Sequence, residues 1–493
     1  MPDSTDNIKK QTARSLKWNV IDRFATQILY AVTGIVLART LSQEDFGLVG
    51  AILVFQSFAT LFVDSGFSSA LLQRKSPDQT DYSTVLWFNM AMACGLYVIL
   101  FFAAPLIALW FDGDTRLIPL SRVMFLSFII SAASIVQTNR FMKQMNVRPI
   151  AATNAAGLAA GGIAGIVLAL EGFGAWAIVW QTIVTNLVKT LSLWIISRWL
   201  PLLTFSWRSL RSFFAVGSGM MMTSFLNTIF QNIYSFLIGN RIGLTSLGYY
   251  TQADKWSKMG VMSVSNAFAA SFLPTLSAVQ DDPERFTRAV TKINRLTSYV
   301  MFPAIGLLVL IATPVFHCLF GVKWDASIFL FQLLLVRGIF TIATGLYNSY
   351  ILSLGRSRII VYTEILKDVV AIIGLVATFP FMSLSTPDDP VYGIRIMLYG
   401  QLIASAVTWL ATLIISQRLS GHESFDYMMS MAPYIVVTMA SCVTAWLVCI
   451  AVSNPWVECL VATSVFGAVY LGINALLGSK IQDEALHFIF KKK

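Results

Sequence analysis

Long apolar runs recur along almost the whole chain, and they constrain its fold more than any other feature of the sequence. A run of about 20 predominantly apolar residues is long enough to cross a bilayer as a helix. The runs do not alternate with a period of two, which excludes the strands of a membrane barrel. Charged residues make up only 12% of the chain, about half of what a soluble domain carries. The sequence therefore predicts an all-α integral membrane protein.

Polar segments separate the apolar runs and predict about 14 transmembrane helices. The predicted spans are 17–38, 47–70, 83–110, 117–139, 149–170, 174–199, 210–240, 246–277, 289–313, 326–354, 359–380, 391–416, 431–453 and 455–478. Lys and Arg concentrate in alternate connections, beginning with the N-terminal segment, whereas the other connections carry mostly acids. This asymmetry predicts that both termini are cytoplasmic and that the number of spans is even.

Segments that recur in the same order indicate two similar halves. Arg39–Gly47, which precedes one span, resembles Arg241–Gly248, which precedes another. We predict two six-helix lobes in a parallel pseudo-two-fold repeat, plus two C-terminal helices. The predicted divisions are an N-terminal lobe at 1–201, a C-terminal lobe at 202–420, and 421–493 with the additional helices and a basic cytoplasmic tail. Parallel halves are typical of transporters that work by alternating access.

The sequence lacks the motifs of enzymes and ATP-driven pumps. No phosphate-binding loop occurs, because Gly478-Ser479-Lys480 has the wrong order. The histidines are scattered and no Cys-x-x-Cys is present. We therefore predict no enzymatic activity, no cofactor and no metal site. The net charge of +10 follows from the cytoplasmic connections, so nucleic acid is not a predicted partner.

Charged residues inside the predicted spans are the main functional candidates, because each costs about 2.5 to 3.5 kcal/mol at mid-bilayer. The cations are Arg23, Lys189, Lys255, Lys258, Arg337, Lys367 and Arg395, and the acids are Asp22, Asp64, Asp254, Glu364 and Asp368. Helical spacing predicts ion pairs between Asp254 and Lys258 and between Glu364 and Lys367. We expect Lys189 and Arg395, near span ends, to pair across helices or reach the interface.

Three cations are not explained by such pairing: Arg23, Lys255 and Arg337. We predict that they line a water-filled cavity and bind an anionic substrate such as a phosphate or pyrophosphate. Asn227 and Gln231 share one face of the seventh span, and they suit either sugar hydroxyls or a hydrogen bond to a neighbouring helix.

Small residues recur at a spacing of four in the fifth predicted span. They are Gly157, Gly161 and Gly165. This pattern predicts close helix packing and needs no ligand to explain it.

Four segments carry a resemblance to a known family: Leu37–Gly47, Asp64–Lys75, Leu247–Tyr250 and Phe320–Trp324. Together they resemble the Wzx-type polysaccharide transporters of the multidrug/oligosaccharidyl-lipid/polysaccharide superfamily. The similarity is greatest to the branch that serves exopolysaccharides such as colanic acid and succinoglycan. It extends through both six-span halves and fades after about residue 420.

The resemblance implies a bacterial inner-membrane flippase that moves an undecaprenyl-pyrophosphate-linked oligosaccharide to the periplasmic leaflet, by alternating access through a cationic central cavity. By position, Arg23 and Lys255 would attract the pyrophosphate, and Asp64 and Asp254 are candidate sites for a coupling ion. The expected partners are the lipid-linked oligosaccharide, membrane lipids, and the polymerase and export machinery of the same glycan pathway.

Two other functions stay open at this point. A cation-coupled multidrug exporter of the same superfamily would share the helical core, but its cavity should be dominated by acids, and here the cations outnumber the acids within the spans. A membrane glycan polymerase or ligase should carry a large loop outside the cytoplasm. The longest such connection, near 381–390, is short.

Overall fold

The computed structural model describes residues 4–64, 67–386, 389–420 and 424–484, and within these ranges the chain forms helices and turns but no strand. The first helices are α1 (Ser4–Thr40), α2 (Gln43–Asp64), α3 (Phe67–Gln73), α4 (Gln79–Trp110), α5 (Leu117–Met124), α6 (Leu126–Lys143), α7 (Arg148–Leu170), α8 (Ala175–Ser197) and α9 (Trp207–Arg241). They are followed by α10 (Leu244–Ser277), α11 (Pro283–Leu310), α12 (Ala312–Leu319), α13 (Asp325–Ser353), α14 (Ser357–Thr378), α15 (Tyr392–Ser420), α16 (Ser424–Cys449) and α17 (Pro455–Leu476). Short 3₁₀ turns occupy Val322–Trp324 and Phe379–Leu384. The all-α prediction is confirmed.

Within the described ranges, 11 helical segments are long and apolar enough to cross a membrane. They coincide with predicted spans to within a few residues at most ends. The other predicted spans correspond to α9, α10 and α14, which have 35, 34 and 22 residues. These helices are long enough to cross a bilayer, and α14 carries Glu364, Lys367 and Asp368 near its middle. The chain is a multi-span membrane protein, and the number 14 stays a prediction.

The chain divides into two compact units, residues 1–248 and 249–493. In the first unit α1 packs on α7, α7 on α8, and α6 on both α4 and α8. Helix α9 joins this unit through α2, where the ring centroids of Phe225 and Phe58 are 5.9 Å apart. The predicted division after residue 201 rests on the sequence repeat alone and stays a prediction.

Glycines on α7 allow it to approach α8 closely. A methyl group at Gly161 would lie 1.9 Å from Oγ1 of Thr185, and one at Gly157 would lie 2.6 Å from the Thr185 carbonyl oxygen. At Gly165 it would lie 2.9 Å from Cβ of Gln181. Only a hydrogen atom fits at these positions, which confirms the predicted role of this glycine pattern in helix packing.

The carboxylate of Asp45 connects the beginnings of α2 and α8. One of its oxygens accepts hydrogen bonds from the backbone N–H and hydroxyl of Ser42, at 3.0 and 2.7 Å. The other accepts from the backbone N–H of Ala175, the first residue of α8, at 2.8 Å. Gly174 precedes α8 with φ = 57°, a conformation that favours glycine. These bonds satisfy N–H groups that a helix start leaves free and fix where α2 begins.

In the second unit, α11 packs on α13, α13 on α15, and α14 on α15. These helices contact one another in the same order as α4, α6, α7 and α8 of the first unit. Their core includes the buried side chains of Phe286, Val290, Tyr347 and Leu413.

The C-terminal helices α16 and α17 pack on α11 and α12. The hydroxyl of Tyr470 on α17 donates to the carbonyl oxygen of Tyr299 on α11 at 2.8 Å. Phe466 and Val437 are buried in the same contact. The two helices beyond the predicted repeat are therefore part of the second unit. Residues 485–493 of the predicted basic tail lie outside the described residues.

Candidate functional site

Arg23 lies on α1 in the first unit, and its side chain is exposed. Its neighbour Asp22 is directed toward α7, where the carboxylate accepts a hydrogen bond from Nδ2 of Asn154 at 3.3 Å. Consecutive side chains on a helix diverge by about 100°, and Asp22 forms no ion pair with Arg23. Among the described residues no carboxylate lies within 4.0 Å of this guanidinium. Its charge is therefore available to an anion.

Arg337 lies half-buried on α13 in the second unit. Its Nη1 donates to Oε1 of Gln401 on α15 at 2.7 Å, and Gln401 is only 6% exposed. An amide oxygen orients a guanidinium without cancelling its charge. Arg337 is thus held in place by a neutral partner, and its remaining N–H groups can bind a phosphate. The sequence predicted Arg337 but not its partner.

Lys255 is half-buried on α10, and its Nζ lies 5.5 Å from the ring centroid of Trp256. Helix α10 is in close contact with α13. A methyl group added to Gly338, the residue after Arg337, would lie only 2.3 Å from Cγ2 of Val261 on α10. Lys255 and Arg337 therefore belong to touching helices of one unit. Arg23 belongs to the other.

Three of the other cations in the predicted spans are paired, and two of these pairs are the ones that helical spacing predicts. Nζ of Lys258 lies 2.6 Å from Oδ2 of Asp254. Two more ion pairs are Lys367 with Glu364 and Arg395 with Asp389. Lys189, on α8, forms no ion pair with a described residue. Among the described residues, three cations of the predicted spans therefore have no carboxylate within ion-pair distance: Lys189, Arg23 and Arg337.

The amides of Asn227 and Gln231 are exposed on α9. The two residues are four apart and share a face of the helix, away from Phe225, which packs on α2. Neither side chain forms a hydrogen bond to a described residue, so helix-to-helix bonding is not their role in this conformation. Sugar binding by these amides stays a prediction.

The candidate ion sites differ in what the structure describes. Asp64 ends α2, and its side chain lies outside the described part of the chain. Asp254 is already paired with Lys258. Asp368 on α14 is another acid of the predicted spans, and its Oδ1 is buried with no hydrogen-bond partner among the described residues. Such an oxygen is costly to bury, which makes Asp368 a further candidate for a proton or cation.

A charged network joins the start of α2 to the connection between α4 and α5. Arg116 contacts both Glu44 and Asp114, and its Nη2 lies 2.6 Å from Oδ2 of Asp114. Hydrogen bonds from Arg116 hold the pKa of Asp114 below its ordinary value, and both acids raise the pKa of Arg116. The sequence did not predict this network.

A family model described as "Polysaccharide biosynthesis protein" matches residues 36–329. The succinoglycan biosynthesis transport protein ExoT of Rhizobium meliloti is 28% identical over 73% of each chain. The lipopolysaccharide biosynthesis protein WzxC of Escherichia coli is 24% identical over 68% of each chain.

Two solved structures have folds similar to that of this chain. The lipid II flippase MurJ in an inward closed conformation matches with a TM-score of 0.72 at 15% identity, over 94% of this chain and 99% of MurJ. An inward-facing MATE multidrug transporter matches with a TM-score of 0.62 at 16% identity, over 82% of this chain and 99% of that one. At these identities the likeness establishes the fold.

Proposed function

The chain belongs to the polysaccharide biosynthesis protein family, and on that basis we propose that it flips a pyrophosphate-linked lipid oligosaccharide across the bacterial inner membrane. The observation that carries the proposal is the alignment with the succinoglycan transport protein over 73% of both chains. The fold, which is shared with a lipid II flippase, supports the same class of substrate. We propose that the protein is a transporter rather than an enzyme, and that it acts before the polymerase and export machinery of the same glycan pathway.

Three cations would bind the pyrophosphate of the substrate: Arg23, Lys255 and Arg337. Arg337 is the best supported, because a buried amide orients it and leaves its charge intact. A phosphate that carries several negative charges gains most from guanidinium groups that are already held in position. By alternating access, such cations would be exposed to the cytoplasm first and to the periplasm afterwards. The proposed orientation places both termini in the cytoplasm.

The test is transport of a fluorescent lipid-linked oligosaccharide in proteoliposomes by the variants Arg23→Gln, Lys255→Gln and Arg337→Gln. Each glutamine keeps a polar side chain but removes the charge. We expect each to reduce the initial rate by about tenfold or more, since a hydrogen bond to a charged group contributes about 1.5 to 3 kcal/mol. The control is Arg285→Gln, at an exposed residue that pairs with Asp282. Equal rates for all four variants would refute the cationic site.

The drug susceptibility of cells that overexpress the protein distinguishes a drug exporter from a glycan-lipid flippase. A drug exporter needs acids that attract cationic drugs, whereas Asp254 and Glu364 are each paired with a lysine. We expect overexpression to leave the susceptibility of cells to cationic drugs unchanged. Resistance that depends on Asp254 would contradict the proposal.

A further inference from the structure

A groove of about 530 Å³ opens on the second unit between α11, α16 and the segment 478–484. The cations that line it are Arg288, Lys292, Arg295 and Lys480, and the carboxylate of Glu484 also reaches it. None of these residues is needed for the transport proposed above.

The pattern of α11 explains why its cations face the groove. Arg288, Lys292 and Arg295 are spaced by four and three residues, so they share one face of the helix. Phe286 and Val290 lie on the opposite side, where they are buried in the core of the unit. The amphipathic pattern therefore fixes a row of positive charge along the first turns of α11.

The segment after α17 contributes Lys480 because the chain turns back toward α11. Gly478 makes this turn with φ = 64°, in the region that favours glycine. Beyond the turn, Nε2 of Gln482 donates to the carbonyl oxygen of Leu471 at 3.0 Å, and the hydroxyl of Tyr299 donates to Oε1 of Gln482 at 3.4 Å. These bonds hold the segment against α11 and α17.

The charges of the groove are only partly balanced. Nζ of Lys292 lies 2.6 Å from Oε2 of Glu484, and Arg288 pairs more loosely with Glu284 on its own helix. Arg295 and Lys480 form no ion pair with a described residue. The surplus is therefore positive.

The two groove cations without an ion pair to a described residue, Arg295 and Lys480, point to an anionic ligand. A ligand with several acceptor oxygens would bind both side chains. A phosphate group has both the charge and the acceptors.

We propose that the groove binds the phosphate of an anionic phospholipid headgroup. Helix α11 forms a spanning segment that begins at Glu284, so its first turns lie near the membrane surface, where lipid phosphates are found. Basic pockets between transmembrane helices recognise lipid headgroups in this way. The bound lipid contacts α11, α16 and the segment after α17 at once and ties them together.

The test is native mass spectrometry of the full-length protein with phosphatidylglycerol as the probe. Phosphatidylcholine with the same acyl chains controls for the contribution of the tails, and glycerol phosphate represents a soluble phosphate ester. The variants are Arg295→Gln and Lys480→Gln. The matched control is Arg285→Gln on the same helix, because Arg285 pairs with Asp282 and does not line the groove. Thermal unfolding of each variant checks that it is folded.

We expect the affinity for phosphatidylglycerol to fall by about fivefold for each cation removed and by about 25-fold for the pair. The control variant should bind as the wild type does, and phosphatidylcholine should bind equally weakly to all of them. The proposal is overturned if Arg285→Gln reduces binding as much as Arg295→Gln does, or if glycerol phosphate binds as tightly as the lipid. Transport is not measured, so a negative result leaves the flippase proposal unaffected.

Discussion

Two glycines related by the sequence repeat bring α2 and the start of α10 into backbone contact. A methyl group at Gly47 would lie 1.8 Å from the carbonyl oxygen of Leu244, and one at Gly248 would lie 1.8 Å from the carbonyl oxygen of Gln43. Ordinary van der Waals contact begins at 3.4 Å. Because both obstacles are backbone atoms, no rotamer change relieves the clash, and the helices must move apart.

The variant Gly47→Ala is therefore predicted to destabilise the protein. Overpacking of this kind costs about 1 to 3 kcal/mol, and a clash with backbone on both sides puts the cost at the upper end. Replacing glycine by alanine inside a helix returns about 1 kcal/mol. The net effect is a loss of about 2 kcal/mol in the free energy of unfolding. Gly248→Ala should behave alike, and the double variant should lose less than the sum because both methyl groups press on one contact.

Thermal unfolding of the purified protein in detergent, followed by tryptophan fluorescence at a fixed heating rate, measures the effect. Gly95→Ala is the matched control, because Gly95 lies inside α4 with nothing within 4 Å of the added methyl group. It should unfold at the wild-type temperature or slightly above it. If Gly47→Ala and Gly248→Ala unfold at the same temperature as Gly95→Ala, the close approach of these helices is not a feature of the folded protein.

Three further predictions concern single contacts. Gln401→Glu replaces the neutral partner of Arg337 by a carboxylate, so we expect transport in proteoliposomes to fall at least tenfold while the unfolding temperature stays the same or rises. Unchanged transport would show that the charge of Arg337 is not used. Gly338→Ala should lower the free energy of unfolding by about 1 to 3 kcal/mol, and adding Val261→Ala to the same chain should restore part of this loss. If the effects of the two substitutions simply add, the contact between the two residues is contradicted. The pKa of Asp114 is held below its ordinary 3.8, so its contribution to stability is complete above about pH 4 and is lost as the pH falls through the lowered value. Thermal unfolding of Asp114→Asn should lack this pH dependence, and a profile identical to that of the wild type would refute the prediction.

The hydropathy pattern and local spacing predicted much of the fold. Apolar runs located the spanning segments, and spacing along a helix predicted the pair Asp254–Lys258 and the small-residue packing of α7. These features depend on residues within a few turns of one another, or on composition alone. The divergence of Asp22 and Arg23 likewise follows from helix geometry alone.

Contacts between distant segments could not be predicted in the same way. The hydrogen bond between Arg337 and Gln401 joins residues 64 positions apart, and no spacing rule connects them. The packing of α9 on α2 through Phe225 likewise depends on tertiary contacts, since an aromatic residue in an apolar span has many possible partners. An amide such as Gln401 inside an apolar run was the available signal, because a buried amide needs a partner.

Reconstitution tests the central claim most directly. The purified chain is placed in liposomes that carry a fluorescent, pyrophosphate-linked lipid oligosaccharide, and a membrane-impermeant quencher reports the fraction in the outer leaflet over time. We predict that the wild-type protein makes the inner-leaflet lipid accessible much faster than protein-free liposomes do, and that it does not move a matched lipid without pyrophosphate. Equal rates with and without the protein, at verified incorporation, would contradict the assignment as a flippase.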